Sequence, residues 1–368
     1  MSLPRLRHAY FSVVLFAAAC GGQVIAGTIR DDRDPALYTS LALEPSYQAV
    51  GLLEVNVFEE GTPAVGSATL VAPDWVLTAA HVVEASPTQP KAVQFTVGGQ
   101  SYAASRWVLH PKYDGSSLIK GFDLALVQLS QPVLDVTPAQ IYRKKKERGM
   151  EGTFVGFGRT GTGISGDTVD DRLKRAGTNI IDGQLKRDNR GFLKAIDRLG
   201  SGAKTFAVDF DSPSNPLESR LGGPTPVDLE YLISRGDSGG GVFIDDPNDL
   251  SGPLLAGINS FGEIFDERDD SDYGDLTGHT RVSSFKSWID KTITRQGFQR
   301  KLHFVSPSQA FVSAGLDPAA RSIGATSIPE PTGLLVIVGA TALLLRRPRK
   351  AVGSRYLRTC TKYRTRGG

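Results

Sequence analysis

The octapeptide RGDSGGGV, residues 235–242, admits three readings. Arg235-Gly236-Asp237 is a tripeptide that cell-adhesion receptors recognise. The three glycines at 239–241 suit a loop that cradles phosphate. Ser238, with glycine on either side of the Asp-Ser pair, suits a nucleophile on a tight turn. The phosphate reading fails, because no Gly-Lys-Ser/Thr follows and GVFI (241–244) reads as a strand, not a helix. The adhesion reading requires Asp237 on an exposed loop tip. The nucleophile reading requires partners elsewhere in the chain: a base, an acid to orient it, and N–H groups aimed at a developing oxyanion.

Two upstream segments supply candidates. TAAHVV (78–83) places His81 after two alanines at the end of an apolar run, where small neighbours leave the imidazole approachable. Imidazole titrates near neutrality, so it can take a proton and return it. GFDLALVQL (121–129) places Asp123 at the entrance to an apolar strand. A carboxylate there either caps the strand in solvent or is buried against hydrogen-bond donors, a histidine Nδ1–H among them. The glycine at 236 leaves room for a substrate carbonyl, and the N–H groups of Gly236 and Ser238 form the candidate oxyanion pair.

The remaining body reads as short β-rich runs broken by Gly, Pro, Asn and Asp, with helical periodicity only at SFKSWIDKTI (284–293). An all-β barrel or sandwich with one late helix is expected. Forty-two basic and 39 acidic residues give a formal charge of +3, but nine of the basic residues lie in 346–368, which has no acid. Without these, Arg5 and Arg7, the middle holds 31 basic against 39 acidic residues, which argues against nucleic acid as a partner. The two cysteines, Cys20 and Cys360, lie in the terminal segments, so the body has no disulfide, thiol nucleophile or cysteine-ligated metal. Neither a cofactor nor a metal is expected.

His81 in Ala-Ala-His, Asp123 in Asp-Leu-Ala-Leu and Ser238 in Gly-Asp-Ser-Gly-Gly together resemble the trypsin/chymotrypsin-like serine proteases, whose triad follows this order. HPKYD (110–114), GFG (156–158), NSFG (259–262) and GHTRVSSFKSWI (278–289) extend the resemblance over about 46–294. It implies two packed six-stranded antiparallel Greek-key barrels with a C-terminal helix, and a serine endopeptidase acting on protein or peptide substrates through an acyl-enzyme. It also implies a substrate pocket at Leu232, Ser260, Phe261, Gly262 and Gly278, with Leu232 in place of the acidic floor that selects Arg or Lys. Medium or large apolar side chains fit that expectation. Val82 replaces the usual cysteine after the histidine, and Gly241 replaces the usual proline. The Ile-Val-Gly-Gly activation motif is absent, Gly27-Thr28-Ile29-Arg30 being the nearest match, so the partner of Asp237 stays open. A charged, Gly/Pro-rich insertion lies around 182–226. FDERDDSDYGDL (265–276) reads as a solvated acidic loop or a calcium site, although its spacing matches no standard calcium loop.

The termini read as addresses. Residues 1–26 have a basic flank, an apolar run over 9–19 and small residues before a cut after Ala26, the anatomy of a secretory signal peptide. Residues 27–45 form an N-terminal segment, and 295–327 a linker. Pro329-Glu330-Pro331, the uncharged run 332–345 and the arginines that follow resemble a PEP-CTERM sorting tail over 328–350, followed by a basic tail over 351–368. That resemblance implies an exosortase-type processing enzyme, inner-membrane tethering through 332–345, and an envelope or surface location in a Gram-negative bacterium. A catalytically inactive surface or matrix binding protein of the same fold is the alternative.

Overall fold

The computed structural model describes residues 27–302, apart from 57–61, 85–89, 91, 191–192, 266–267 and 269. The expectations for 1–26, for the sorting tail at Pro329-Glu330-Pro331 and for the membrane run 332–345 lie outside the described residues. No helix among the described residues is long and apolar enough to cross a membrane.

The chain enters through β1 (Thr28–Ile29) and α1 (Pro35–Ala42), a helix capped by the Asp34 carboxylate and started by Pro35. A closed antiparallel barrel follows: β2 (Val50–Asn56), β3 (Ala64–Ala72), β4 (Trp75–Thr78), the single turn α2 (Ala80–Val83), β5 (Ala92–Val97), β6 (Gln100–Leu109) and β7 (Ala125–Leu129). Its strands run in the order β2-β3-β4-β7-β6-β5. Alternation places Val93, Phe95 and Val97 of β5 inward, where they pack with Leu53, Leu70, Val76 and Val127.

The second half comprises β8 (Glu151–Gly156), β9 (Thr160–Thr162), β10 (Gly166–Val169), β11 (Arg175–Ile180), β12 (Gln184–Arg187) and β13 (Leu193–Ile196). It continues through β14 (Thr205–Asp209), β15 (Tyr231–Leu232), β16 (Gly241–Ile244), β17 (Leu254–Glu263), β18 (Leu276–Arg281) and α3 (Lys286–Leu302). Six of these strands form one sheet in the order β11-β8-β16-β17-β18-β14, a half-barrel rather than the second closed barrel expected. Across the gap between its edges, Gly183, just past β11, pairs through its backbone with Ala207 of β14, and Asn179 of β11 donates to the backbone oxygens of Asp209 in β14 and Tyr231 in β15.

The structure adds three local features. Residues 27–45 are folded against the second half, with β1 between β9 and β15 and α1 on β11. The stretch 182–226, expected as an insertion, contains β12, β13 and β14, and Phe206 and Val208 of β14 are fully buried. The apolar run through His81 is not one strand: β4 stops at Thr78 and the chain turns. The two halves meet across a shared apolar layer that includes Trp75, Leu77, Leu126, Phe243, Leu255 and Phe285. The fold is trypsin-like.

Candidate active site

His81 sits in the α2 turn, after Ala79 and Ala80, both fully buried. The turn has no side-chain cap of its own. Asp123, 1% exposed just before β7, reaches it instead: its Oδ1 accepts the His81 backbone N–H at 2.9 Å and its Oδ2 accepts from Nδ1 at 2.8 Å. A carboxylate only accepts, so Nδ1 carries the proton and Nε2 is left as the acceptor of the neutral ring. Of the two readings of Asp123, burial with donors is the one observed. Ser260 Oγ donates to the same Oδ2 at 2.5 Å, and Thr280 Oγ1 donates to the Asp123 carbonyl at 2.9 Å.

Burial opposes charge on His81, but the adjacent Asp123 outweighs it and raises the imidazole above its ordinary value. Burial likewise works against the Asp123 carboxylate, but His81 and the hydrogen bonds hold it below the usual range.

Ser238 lies on the turn between β15 and β16. Gly236 (φ +97°) and Gly239 (φ +89°) both occupy the left-handed region that disfavours a side chain. A Cβ on Gly239 would stand 2.0 Å from the Ser67 carbonyl and 2.1 Å from Thr78 Oγ1, so the turn presses directly on the first barrel beside the strand leading to His81. Ser67 braces the turn from that barrel: its N–H donates to Ser238 O at 2.8 Å and its hydroxyl to Gly236 O at 2.9 Å. Sequence reasoning missed Ser67, because a serine inside an apolar strand carries no signal of the turn that reaches it from 169 residues away.

His81 Nε2 and Ser238 Oγ are both buried and have no hydrogen-bond partner. Orphaned buried polar atoms are uncommon. Here they belong to the expected base and nucleophile.

Asp237 is fully buried, which overturns the adhesion reading. Its carboxylate accepts from Gly158 N at 2.9 Å, Tyr231 Oη at 3.0 Å, Ser234 N at 3.3 Å and the Gly27 amide. Burial nonetheless pushes it up to about 6.

The residues expected to form the pocket have separate environments. Leu232 is buried in β15 and paired with Thr28. The Ser260 hydroxyl is spent on Asp123. Phe261 and Gly278 are cross-strand neighbours, and the Phe261 ring lies over Gly278, where a Cβ would stand 2.2 Å from Cζ. Gly262 pairs with Thr277. Among the described residues, Asp270, Asp272 and Asp275 form the one group whose ligand atoms could share a metal ion.

The trypsin family model matches residues 55–197, a span that includes His81 and Asp123 and ends before Ser238. Among curated proteins, the chain is similar to chymotrypsin-like elastase family member 1 of Macaca fascicularis. The two are 25% identical over 241 residues, covering 61% of this chain and 77% of that protein. Residues 55–197 thus match the trypsin family model and the chain is weakly similar to an elastase, both of which support a serine-type endopeptidase acting on protein or peptide substrates.

Proposed function

We propose that the chain is an exported serine endopeptidase in which Ser238 is the nucleophile, His81 the general base and Asp123 the group that orients it. Ser238 Oγ attacks the scissile carbonyl carbon as its proton passes to His81 Nε2. The N–H groups of Gly236 and Ser238 hold the oxyanion. The C–N bond then breaks, the leaving amine takes the proton from His81, and water repeats the sequence on the acyl-enzyme. The observation that carries this reading is the double hold of Asp123 on His81, at backbone and ring, leaving Nε2 and Ser238 Oγ as the unsatisfied pair.

Removal of residues 1–26 is the proposed maturation step. A cut after Ala26 turns the Gly27 nitrogen, already a donor to Asp237, into an ammonium beside that buried carboxylate. Gly27 is itself buried, and a Cβ there would stand 2.0 Å from Tyr231 Oη, so glycine is the residue this position accepts. The Pro329-Glu330-Pro331 tail and the run 332–345 would then tether the enzyme to the inner membrane until an exosortase-type enzyme processes it. Leu232, Phe261, Gly262 and Gly278 would favour apolar residues on the substrate.

The test is labelling by a fluorophosphonate probe of three folded proteins: the chain beginning at Gly27, the same chain with Ser238→Ala, and one that retains Ala26. The first is expected to label, the second not at all, and the third at least tenfold more slowly. A folded chain beginning at Gly27 that takes no label overturns the enzyme reading in favour of an inactive binding protein. Equal labelling of the first and third overturns the maturation step alone.

A further inference from the structure

The loop between β17 and β18 carries three adjacent buried oxygens with no hydrogen-bond partner: Asp270 Oδ1, Ser271 Oγ and Asp272 Oδ1. Ser271 and Asp272 are 1% and 2% exposed. Ser271 also sits at φ +56°, in the left-handed region a serine rarely adopts. Burial of unpartnered oxygens and a strained backbone are both unfavourable, so something else must hold this conformation.

Charge points to what that is. Carboxylate oxygens of Asp270, Asp272 and Asp275 lie within 4.8 Å of one another. Oxygens about 2.3–2.6 Å from one calcium ion can stand up to about 4.6–5.2 Å apart, so all three can reach a single ion. The exposed Arg268 guanidinium contacts Asp272 and stands 4.0 Å from Asp270. The donors are oxygens alone, with no histidine or cysteine, which favours a hard cation over zinc or copper.

We propose that Asp270, Asp272 and Asp275 bind a calcium ion, with Ser271 Oγ as a further donor, and that the ion stiffens the loop beneath the nucleophile turn. The loop holds that turn from two sides. Its Ser271 carbonyl accepts from Thr28 Oγ1 at 2.5 Å, next to Gly27, whose amide reaches Asp237. Its Asp270 carbonyl accepts from Asp167 N at 2.7 Å; the Asp167 carboxylate takes the Ser234 hydroxyl at 2.8 Å, and Ser234 N donates to Asp237. Both routes end on the residue preceding Ser238.

The test is calorimetric titration of calcium chloride into the full-length protein after chelator treatment, with thermal unfolding followed in parallel. One site with Kd on the order of 0.1–1 mM is expected, with magnesium at least tenfold weaker. Unfolding should shift upward by several degrees at saturating calcium. Asp270→Asn, at a half-buried position, and Asp272→Asn should each weaken binding at least tenfold; if Asp272→Asn does not fold, Asp270→Asn decides. Absence of binding heat and thermal shift in the wild-type chain overturns the proposal. So does wild-type affinity in a folded Asp270→Asn protein, or an equal shift from sodium chloride at matched ionic strength. None of these readouts depends on peptidase activity.

Discussion

At the scale of the residue, the proposed base is defined by what holds it. Asp123 captures both the His81 amide and its ring, so two hydrogen bonds set the imidazole's tautomer and direction. Ser260 in turn fixes the Asp123 oxygen that holds the ring. A hydrogen bond to an ionised group is worth about 1.5–3 kcal/mol. Ser260→Ala should therefore slow fluorophosphonate labelling about tenfold while leaving the fold intact. His81 is raised above its ordinary value, and the proposed mechanism needs it neutral. The labelling rate should rise with pH, with a midpoint above about 6.5 in both wild type and variant. An unchanged rate in Ser260→Ala would remove the hydroxyl from the positioning of Asp123. Asp123 and His81 were legible in the sequence because their flanking residues are local. Ser260 was assigned to the pocket, because its neighbours in sequence do not disclose the direction of its hydroxyl.

At the scale of the element, 182–226 is the instructive case. Its charge, glycine and proline content read as a surface insertion, yet β14 completes the edge of the main sheet and β12 with β13 form a hairpin against it. Charged residues such as Lys186 and Arg187 face solvent, whereas Leu185, 2% exposed, packs with Phe261, Leu221 and Leu276. The composition thus reported one face of the hairpin. Leu185→Ala should cost about 3 kcal/mol, the range for deleting a buried leucine side chain. Unfolding by heat or denaturant gives that figure directly. A loss below about 1 kcal/mol would mean that the hairpin is only a surface appendage. The helical turn at His81 was missed for a related reason. Val82 and Val83 favour a strand on propensity, and the capture of the His81 amide by Asp123, 42 residues away, overrides it.

At the scale of the whole molecule, buried carboxylates decide how stability follows pH. Burial pushes Asp182 and Asp211 up to about 7 and Glu230 up to about 8, around a cavity of about 190 Å³ that all three line. A carboxyl group that binds its proton more tightly when folded adds stability that is fully present below its unfolded value and is lost as pH rises from there through its folded value. His81, a base raised on folding, acts in the same direction. His279, buried and lowered to about 3, acts oppositely, but only below the ordinary histidine value near 6.5. Between pH 6.5 and 8.5 the carboxylates therefore act without that opposition. The melting temperature should be on the order of 5 °C higher at pH 6.5 than at 8.5, and Asp211→Asn should flatten the slope. A melting temperature that rises with pH over this window would contradict the burial of these groups.

The sequence by itself determined the all-β class, the late helix, and the His81, Asp123 and Ser238 candidates with the glycines around Ser238. These are properties of short stretches: alternation, turn chemistry, and small residues beside a reactive group. Only the tertiary structure decided that the second six-stranded layer stays open, that β1 is built into it, and that Ser67 and Ser260 serve the site. Only there do Asp237 and the amide of Gly27 meet. Hydrogen bonds between residues tens to hundreds of positions apart depend on where the strands finally lie, and no local pattern encodes that.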